Sequence, residues 1–493
     1  MELKIKILKW SAGVPVVMLS KETAEKIGVN TTERISLKKS SKNSKEIFTI
    51  IDIVDGLCKN NEIGISEELK KMYSLRRGQV VDVNIAPVSN SLDFIKKKLS
   101  GKKLEKKEIY KIIEDVVNNS SSEAEIALFI SAMYKQRMSM RETIYLIEAI
   151  LVSGNKLSFK NKFVVDKHSI GGIAGNRTTP IIVAICAAAG LIIPKSSSRA
   201  ITSPAGTADV IETIANIEFS IKELKKIVNK TNGCLVWGGA LGMVPADSKI
   251  IRVEKMLKID PEAQLLSSIM SKKLASGSNY ILIDIPYGET AKVDLVKAKK
   301  LKRKFEYLGK HFKKKLKVVL TRADEPMGSG VGPALELRDV IEVLDPKLKG
   351  PRDLEEKSLF LAATIFEMTG KAKKGKGIFL AQKILDSGKA FKKFKEIIKA
   401  QGGEIIDIKP GKFKKDILAK KSGTIIEINN QKINSLARSS GCPTDKFAGL
   451  YLYFNKGDSV KKGEKIMTIY AESKMRLAMA AKHYKKDNPI IIK

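Results

Sequence analysis

A glycine-rich segment, residues 166–179, has the composition of an anion-binding loop. It reads Asp-Lys-His-Ser-Ile-Gly-Gly-Ile-Ala-Gly-Asn-Arg-Thr-Thr and carries two cationic side chains, Lys167 and Arg177. Glycines let the backbone approach a ligand closely and point N–H groups at it. A helix predicted directly after the segment would add the positive potential of its N-terminus. The pattern therefore indicates a phosphate site, although a glycine-rich turn with solvent-facing cations would have the same composition.

A second segment, residues 195–209, also lies between an apolar stretch and a predicted helix. It combines several hydroxyl groups with Arg199, and such groups suit phosphate and ribose oxygens. In the alternative interpretation, Thr207 is only a helix N-cap and the serines only form turns. Loops that follow adjacent parallel strands meet at one edge of a sheet, so the two segments together indicate a site more strongly than either alone.

A third segment, residues 259–273, contains a helix start. The pair Asp260-Pro261 predicts an N-cap followed by the first helical residue. Ser268 and Lys272 are four residues apart and share one face of that helix. This face has the chemistry to contact a base, but a solvated face would show the same spacing.

Parallel strands of one sheet would bring these segments together. Short apolar stretches at residues 163–166, 191–194, 234–237, 280–285 and 318–320 alternate with helical patterns, which predicts a parallel-sheet α/β domain. We predict an α/β multidomain protein with four domains. They are an N-terminal small β-barrel-like domain (1–87), a helical domain (88–157 and 245–276), a central parallel-sheet α/β domain (158–244 and 277–415) and a C-terminal β-rich domain (416–493).

The amino-acid composition and charge limit which functional classes fit this chain. The formal charge of +36 would suit a nucleic-acid binder, but the basic residues are spread along the chain and aromatic residues make up only 6%. A basic surface would still attract phosphorylated substrates. The sequence has no apolar run long enough to span a membrane, so we predict a cytoplasmic protein without a membrane partner. The cysteines and histidines do not form a metal-binding pattern, so we predict no metal. We also predict no nucleic-acid partner.

The three segments resemble the thymidine and pyrimidine-nucleoside phosphorylase family. The blocks that carry the resemblance are Lys-His-Ser-Ile-Gly-Gly from Lys167, Ser-Ser-Arg-Ala-Ile-Thr-Ser-Pro-Ala-Gly-Thr-Ala-Asp up to Asp209, and Ser268-x-x-x-Lys272. The amino-acid sequence of these blocks, together with the additional N-terminal domain, is most similar to the archaeal branch of the family. The resemblance covers essentially the whole chain.

The resemblance implies a role for each matching residue. Asp260 matches the proton donor, and Lys272 matches the base-reading lysine. Positions that match nucleotide-binding residues are Gly172, Ser198, Arg199, Ala200, Ile201, Thr202, Ser203, Thr207, Ser268 and Lys292. Positions that match inorganic phosphate ligands are Lys167, Ser169, Ser197 and Thr207.

The implied reaction is phosphorolysis of AMP, with CMP and UMP as alternative substrates, to the free base and ribose 1,5-bisphosphate in nucleotide catabolism and salvage. The implied partners are AMP and inorganic phosphate, with no cofactor and no metal, in a homodimer or a larger homo-oligomer. The sequence does not decide which loop holds the 5′-phosphate.

The sequence alone leaves two other functions open. The first is a phosphoribosyltransferase of the same fold, which would need magnesium and a diphosphate donor; the second is nucleic-acid binding. Thymidine or pyrimidine-nucleoside phosphorolysis is disfavoured, because residues 253–256 read Val-Glu-Lys-Met where the pyrimidine enzymes carry an Arg-Asp pair.

Overall fold

The structure, a computed structural model, describes residues 1–39, 46–87, 89–160, 163–200 and 203–493. They divide into two units, the first comprising Met1–Ser153 and Pro245–Ser267 and the second Gly154–Val244 and Ser268–Lys493. The multidomain α/β fold class is confirmed, while the predicted domain boundaries remain predictions.

The first unit begins with a closed six-stranded barrel in the order β1-β5-β2-β4-β3-β6. Its elements are β1 (Glu2–Ile7), β2 (Val16–Leu19), α1 (Lys21–Ile27), β3 (Arg34–Lys39), β4 (Ile47–Ile53), β5 (Glu62–Ile65), α2 (Glu67–Tyr73) and β6 (Val80–Ile85). The sequence predicts strands at residues 3–7, 47–54 and 80–85 and a short helix at 21–27, and β1, β4, β6 and α1 lie there. The elements β2, β3, β5 and α2 were not predicted. The strands β2 and β5 have only four residues each, are almost wholly buried and show no alternation of polar and apolar residues.

Four helices follow in the same unit, close to the stretches 93–99, 108–117, 122–134 and 141–151 whose apolar spacing predicts helices. They are α3 (Ser91–Leu99), α4 (Lys106–Asn118), α5 (Glu123–Gln136) and α6 (Met140–Val152). Local capping defines the start of α5: the Ser122 hydroxyl accepts from the Glu125 N–H, and the Glu125 carboxylate accepts from the Ser122 N–H. A buried ion pair of 2.9 Å between Lys98 and Glu142 joins α3 to α6.

The α/β part of the second unit supplies the strands that position the predicted site. The elements over residues 165–400, in chain order, are β7 (Val165–Ser169), α7 (Thr178–Ala188), β8 (Ile193–Ser197), α8 (Thr207–Ile211), α9 (Ile221–Thr231), β9 (Gly233–Trp237), α10 (Pro245–Leu257), α11 (Glu262–Ala275), β10 (Tyr280–Tyr287), α12 (Leu295–His311), β11 (Lys315–Arg322), β12 (Gly330–Val331), α13 (Pro333–Leu344), α14 (Arg352–Thr369), α15 (Gly377–Asp386) and α16 (Lys389–Ala400). Of these, α10 belongs to the first unit, and α11 spans both units.

Five of these strands run parallel. The pairs β11-β10-β7 and β8-β9 are parallel, and a parallel bridge from Val164 to Ile192 joins the two groups. Their carboxyl ends therefore share one edge, where ligands bind in open α/β sheets. Helix α7 is buried on nearly all sides, against α14 and α16 among others, which explains its uniformly apolar sequence.

The C-terminal region contains strands and two helices. Its elements are β13 (Phe413–Leu418), β14 (Gly423–Ile428), α17 (Asn430–Ser440), β15 (Gly449–Leu452), β16 (Ser459–Val460), β17 (Lys465–Ala471), α18 (Lys474–Lys486) and β18 (Ile490–Ile492). One sheet has the order β12-β15-β17-β13, so this region extends a sheet that begins in the α/β part. Neither α17 nor α18 was predicted from the sequence. Among the described residues, no helix combines the length and apolarity needed to cross a bilayer.

Candidate active site

The carboxyl ends of β7 and β8 carry the polar residues predicted to bind phosphate. Lys167, His168 and Ser169 were expected in the loop, but they are the last three residues of β7. They remain in the strand because pairing with β10 continues as far as Ser169, which lies opposite Asp284. Alternation along the strand places Lys167 and Ser169 on one face of the sheet and His168 on the other.

Lys167 is a buried cation with a hydroxyl group in reach. Its Nζ donates a 2.7 Å hydrogen bond to Thr178 Oγ1, at the start of α7. Burial lowers the pKa of Lys167 to about 7, and the nearby Asp284 carboxylate opposes this shift only in part. An arriving anion would favour the protonated lysine. Thr178 was not predicted as a site residue, and its place at the N-terminus of a helix after a glycine-rich segment was the available signal.

Two further buried lysines surround Asp166, the residue before Lys167. Lys195 Nζ lies 3.2 Å from one carboxylate oxygen of Asp166, and Lys273 Nζ lies 2.6 Å from the other. One buried carboxylate thus faces two lysine amino groups, and burial lowers the pKa of Lys273 to about 7. Burial and then the proximity of these lysines hold the pKa of His168 well below its usual range, so this histidine is neutral.

Arg177 joins the two predicted loops. Its guanidinium donates to Thr207 Oγ1 at 2.9 Å and to the Ala205 carbonyl at 2.8 Å. A buried ion pair with Glu336 on α13 fixes the guanidinium from the other side, with Nε 2.7 Å from Oε2. The segments 166–179 and 195–209, which the sequence predicted to converge, do meet. Arg177 makes the contact, and it had been predicted only as one of the cations of the first segment.

The loop after β8 is folded around Asp209. One oxygen of its buried carboxylate accepts hydrogen bonds of 2.7 Å from the backbone N–H groups of Ala200 and Gly206. Gly206 must be glycine, because a Cβ there would lie 2.3 Å from the Ser198 carbonyl oxygen. Ser197 ends β8 with a buried hydroxyl to which no described residue hydrogen-bonds.

The predicted nucleotide-binding residues of this loop differ in exposure. Ser198 is exposed, and Ala200 and Ser203 are half-buried. The Ser203 hydroxyl donates to the Ala205 carbonyl at 2.7 Å. Ile201 and Thr202 lie outside the described residues.

Arg199 is held by acidic neighbours. Its guanidinium makes two hydrogen bonds with Glu212, of 2.6 and 2.8 Å, and lies 3.4 Å from Asp209 and from Glu218. The guanidinium also stacks 4.9 Å from the ring centre of Trp237. The ion pair lowers the pKa of Glu212 to about 2. These contacts shape the loop, and the predicted role of Arg199 in substrate binding remains a prediction.

The variant Arg199→Ala is expected to lower kcat/KM for the substrate by about 10- to 100-fold with a small change in melting temperature, because a charge-assisted contact is worth about 1.5–3 kcal/mol. Glu212→Ala is the matched control, since it breaks the ion pair but keeps the guanidinium. Steady-state kinetics should show a smaller loss for the control. Equal losses in both variants would mean that Arg199 acts only by holding the loop.

The third segment places its residues on and before α11. Lys272 Nζ donates to Ser268 Oγ at 2.9 Å, so these two side chains do share a helix face. The helix begins one residue later than predicted: Glu262 is its first residue, and the Pro261 carbonyl accepts from the Leu265 N–H at 3.0 Å. Asp260, the predicted proton donor, is exposed in the first unit.

Gly172 and Lys292, both predicted to bind the nucleotide, lie side by side. A Cβ on Gly172 would lie 2.8 Å from the Cβ of Lys292, and the φ of +95° also requires glycine. Both residues line a cavity of about 300 Å³ with four residues of α17, namely Gln431, Asn434, Ser435 and Arg438. No functional role was predicted for these four residues from the sequence.

The described residues include no group of three or more His, Cys, Asp or Glu side chains placed to hold a metal ion. All four cysteines, Cys58, Cys186, Cys234 and Cys442, are buried free thiols.

The fold and the residues at the sheet edge define an enzyme of the glycosyl transferase family. Residues 161–391 match the a/b domain of that family, residues 92–154 its helical bundle domain, and residues 424–491 the pyrimidine nucleoside phosphorylase C-terminal domain. The crystal structure of anthranilate phosphoribosyltransferase from Thermus thermophilus aligns with a TM-score of 0.53 at 18% identity, covering 63% of this chain and all of that one. This likeness shows a shared fold.

Several relatives match over nearly their full length. The AMP phosphorylase of Pyrococcus furiosus is 42% identical, covering 99% of this chain and 97% of the relative. Those of Thermococcus kodakarensis and Methanococcoides burtonii are 41% and 40% identical, covering 100% of this chain and 98% and 97% of the relatives. The chain therefore belongs to the AMP phosphorylase family, which confirms the resemblance found in its motifs.

Proposed function

We propose that the protein catalyses the phosphorolysis of AMP to adenine and ribose 1,5-bisphosphate. One observation carries the proposal: a buried cation and several hydroxyl groups converge where β7 and β8 end. Lys167 and Thr178 are hydrogen-bonded to each other, Arg177 reaches Thr207, and the buried Ser197 hydroxyl has no partner among the described residues. This combination of charge and O–H donors suits a phosphate dianion.

In the proposed reaction, the C1′–N9 bond of AMP breaks as an oxygen of inorganic phosphate bonds to C1′. The developing positive charge on the sugar is stabilised by the phosphate, which the residues at the ends of β7 and β8 would hold in position. Asp260 would give a proton to the leaving adenine. Ser268 and Lys272 would contact the base, and Gly172, Lys292 and the loop of residues 198–203 would contact the rest of the nucleotide.

Other features of the proposal come from the sequence alone. They are the use of CMP and UMP, the independence from a metal or cofactor, a homo-oligomeric state and a cytoplasmic location. The relatives named as AMP phosphorylases support nucleotide and phosphate as the substrate classes.

The proposal is tested by measuring base release from a panel of nucleotides and nucleosides with and without inorganic phosphate. Release of adenine from AMP only when phosphate is present supports it. A phosphoribosyltransferase would instead make a nucleotide from a free base, phosphoribosyl diphosphate and magnesium, and that result would replace the proposal. A salt-dependent gel shift without any turnover would favour nucleic-acid binding.

We expect the 5′-phosphate to be required for efficient turnover. Each charge-assisted contact to it is worth about 1.5–3 kcal/mol, so kcat/KM for AMP should exceed that for adenosine by at least about 10- to 100-fold. Parallel assays with AMP, adenosine and thymidine give the ratio. A nucleoside cleaved as efficiently as AMP would show that the 5′-phosphate makes no productive contact.

A further inference from the structure

We propose that one face of α17 forms the binding subsite for the 5′-phosphate of the nucleotide, with Arg438 as its principal cation. The proposal rests on the proposed function and deepens it, because it names the part of the protein that distinguishes a nucleotide from a nucleoside. Inorganic phosphate would occupy the separate site at the ends of β7 and β8.

The spacing of polar residues on α17 forms one continuous face. Gln431, Asn434, Ser435 and Arg438 follow the pattern i, i+3, i+4 and i+7, so they lie along the same side of the helix. The opposite side is apolar and belongs to the C-terminal core through Ile433, Leu436 and Ala437. The helix therefore presents its polar face to the cavity, while its apolar face anchors it.

The cavity has the chemistry of a phosphomonoester site. Of its six lining residues, Lys292 and Arg438 are cationic and none is acidic. Gln431 and Ser435 add amide and hydroxyl donors, which complete a set suited to the oxygens of a phosphate. Asn434 is 7% exposed, and its Oδ1 receives no hydrogen bond from any described residue. This oxygen is an acceptor for a sugar hydroxyl.

Direct hydrogen bonds attach α17 to the glycine-rich loop after β7. Asn434 Nδ2 donates to the Gly172 carbonyl at 3.2 Å, and the Ala174 N–H donates to Asn430 Oδ1 at 3.1 Å. Asn430 Nδ2 also donates to Thr290 Oγ1 at 3.1 Å, which ties the helix to the segment before Lys292. The cavity walls are thus fixed to one another, and a preorganised site loses less free energy when its ligand binds.

Arg438 connects this cavity to the predicted nucleotide loop. One guanidinium NH2 group donates to the Ser203 carbonyl at 3.1 Å, at the end of the loop that follows β8. Arg438 is exposed on the cavity side. The four residues predicted to bind inorganic phosphate, Lys167, Ser169, Ser197 and Thr207, do not line the cavity. The proposal thus gives the protein two separate anion sites, as a reaction between a nucleotide and inorganic phosphate requires.

The test compares Arg438→Gln with the wild-type protein on AMP and on adenosine. We expect kcat/KM for AMP to fall by about 10- to 100-fold, because one charge-assisted contact is lost, and kcat/KM for adenosine to stay the same. The KM for inorganic phosphate should not change. Arg438→Lys should recover part of the loss, since it restores the charge but not the two-pronged geometry.

Lys432→Gln is the matched control, because it removes one positive charge from the same helix. Lys432 pairs with Asp487 at 2.7 Å and does not line the cavity. Its kinetics on AMP should match those of the wild type. A loss as large as that of Arg438→Gln would show that only the overall charge of the protein matters, and would overturn the proposal.

Two other outcomes would also overturn it. Equal losses on AMP and adenosine would mean that Arg438 only supports the loop at Ser203. A raised KM for inorganic phosphate with an unchanged preference for AMP would place the inorganic phosphate, not the 5′-phosphate, in this cavity.

A binding measurement separates this proposal from the proposed function. If the wild-type protein does not cleave AMP, calorimetry with ribose 5-phosphate still tests the cavity. Binding of ribose 5-phosphate but not ribose, weakened about 10- to 100-fold in Arg438→Gln, would support the subsite even without turnover. No binding of ribose 5-phosphate to the wild type, or equal binding to both proteins, would contradict it.

Discussion

Replacement of Asp260 by asparagine is expected to lower kcat for AMP by about 10²- to 10⁴-fold, which is the usual contribution of general acid catalysis. Asparagine has nearly the same size and keeps a carbonyl oxygen, but it has no acidic proton to give to the leaving adenine. The melting temperature should hardly change, because Asp260 is exposed and precedes the first residue of α11. AMP should still bind.

The matched control for this variant is Glu262→Gln. Glu262 is the first residue of α11 and the other carboxylate of the segment, and the family resemblance assigns it no role. Its kcat should stay near the wild-type value. If Asp260→Asn instead retains near-normal kcat across the pH range, Asp260 has only a structural role at the helix start and another group must protonate the base.

The sequence predicted the architecture well where the local pattern was strong. The helices from α3 to α6 and the strands from β7 to β11 lie within a few residues of their predicted positions, because long amphipathic or apolar stretches determine them. The start of the active-site loop was misplaced, since the backbone pairing that keeps Lys167 to Ser169 in β7 depends on β10, more than a hundred residues later. No local pattern contains that information.

Helix α17 had a signal that the sequence analysis did not use. Asn429 accepts hydrogen bonds from the N–H groups of Gln431 and Lys432, which is the behaviour of an N-cap residue. The apolar residues after it have helical spacing. The strands on both sides led to the expectation of a β-rich domain, and the polar face of α17 was therefore not considered for binding.

The contacts that assemble the site could not have been predicted from spacing. Arg177 and Glu336 are 159 residues apart, and Lys273 and Asp166 are 107 residues apart. Each pair is buried, and a buried ion needs a partner of opposite charge. The sequence shows charged residues in apolar surroundings, but only the fold shows which of them are paired.

Lys167→Met is expected to lower kcat/KM for inorganic phosphate by about 10²- to 10³-fold, comparable to the loss of one preorganised donor in a buried site. Lys167 is the buried cation at the end of β7, hydrogen-bonded to Thr178. Burial lowers the pKa of Lys167 to about 7, so the wild-type side chain is already largely neutral above that pH. Methionine therefore replaces a mostly uncharged buried side chain there, and the variant should still fold. A melting curve recorded above pH 7 checks this expectation.

The same lysine predicts a pH dependence with a definite sign. In the free enzyme, Lys167 loses its proton as the pH rises through about 7. Binding a phosphate dianion then requires that proton to return, which costs up to about tenfold in affinity for each pH unit above the pKa. The KM for phosphate should therefore rise between about pH 7 and pH 9 in the wild type and change little in Lys167→Met. A variant that keeps the full wild-type pH dependence would assign the titration to another group. Lys273, whose pKa burial also lowers, would be the next residue to test.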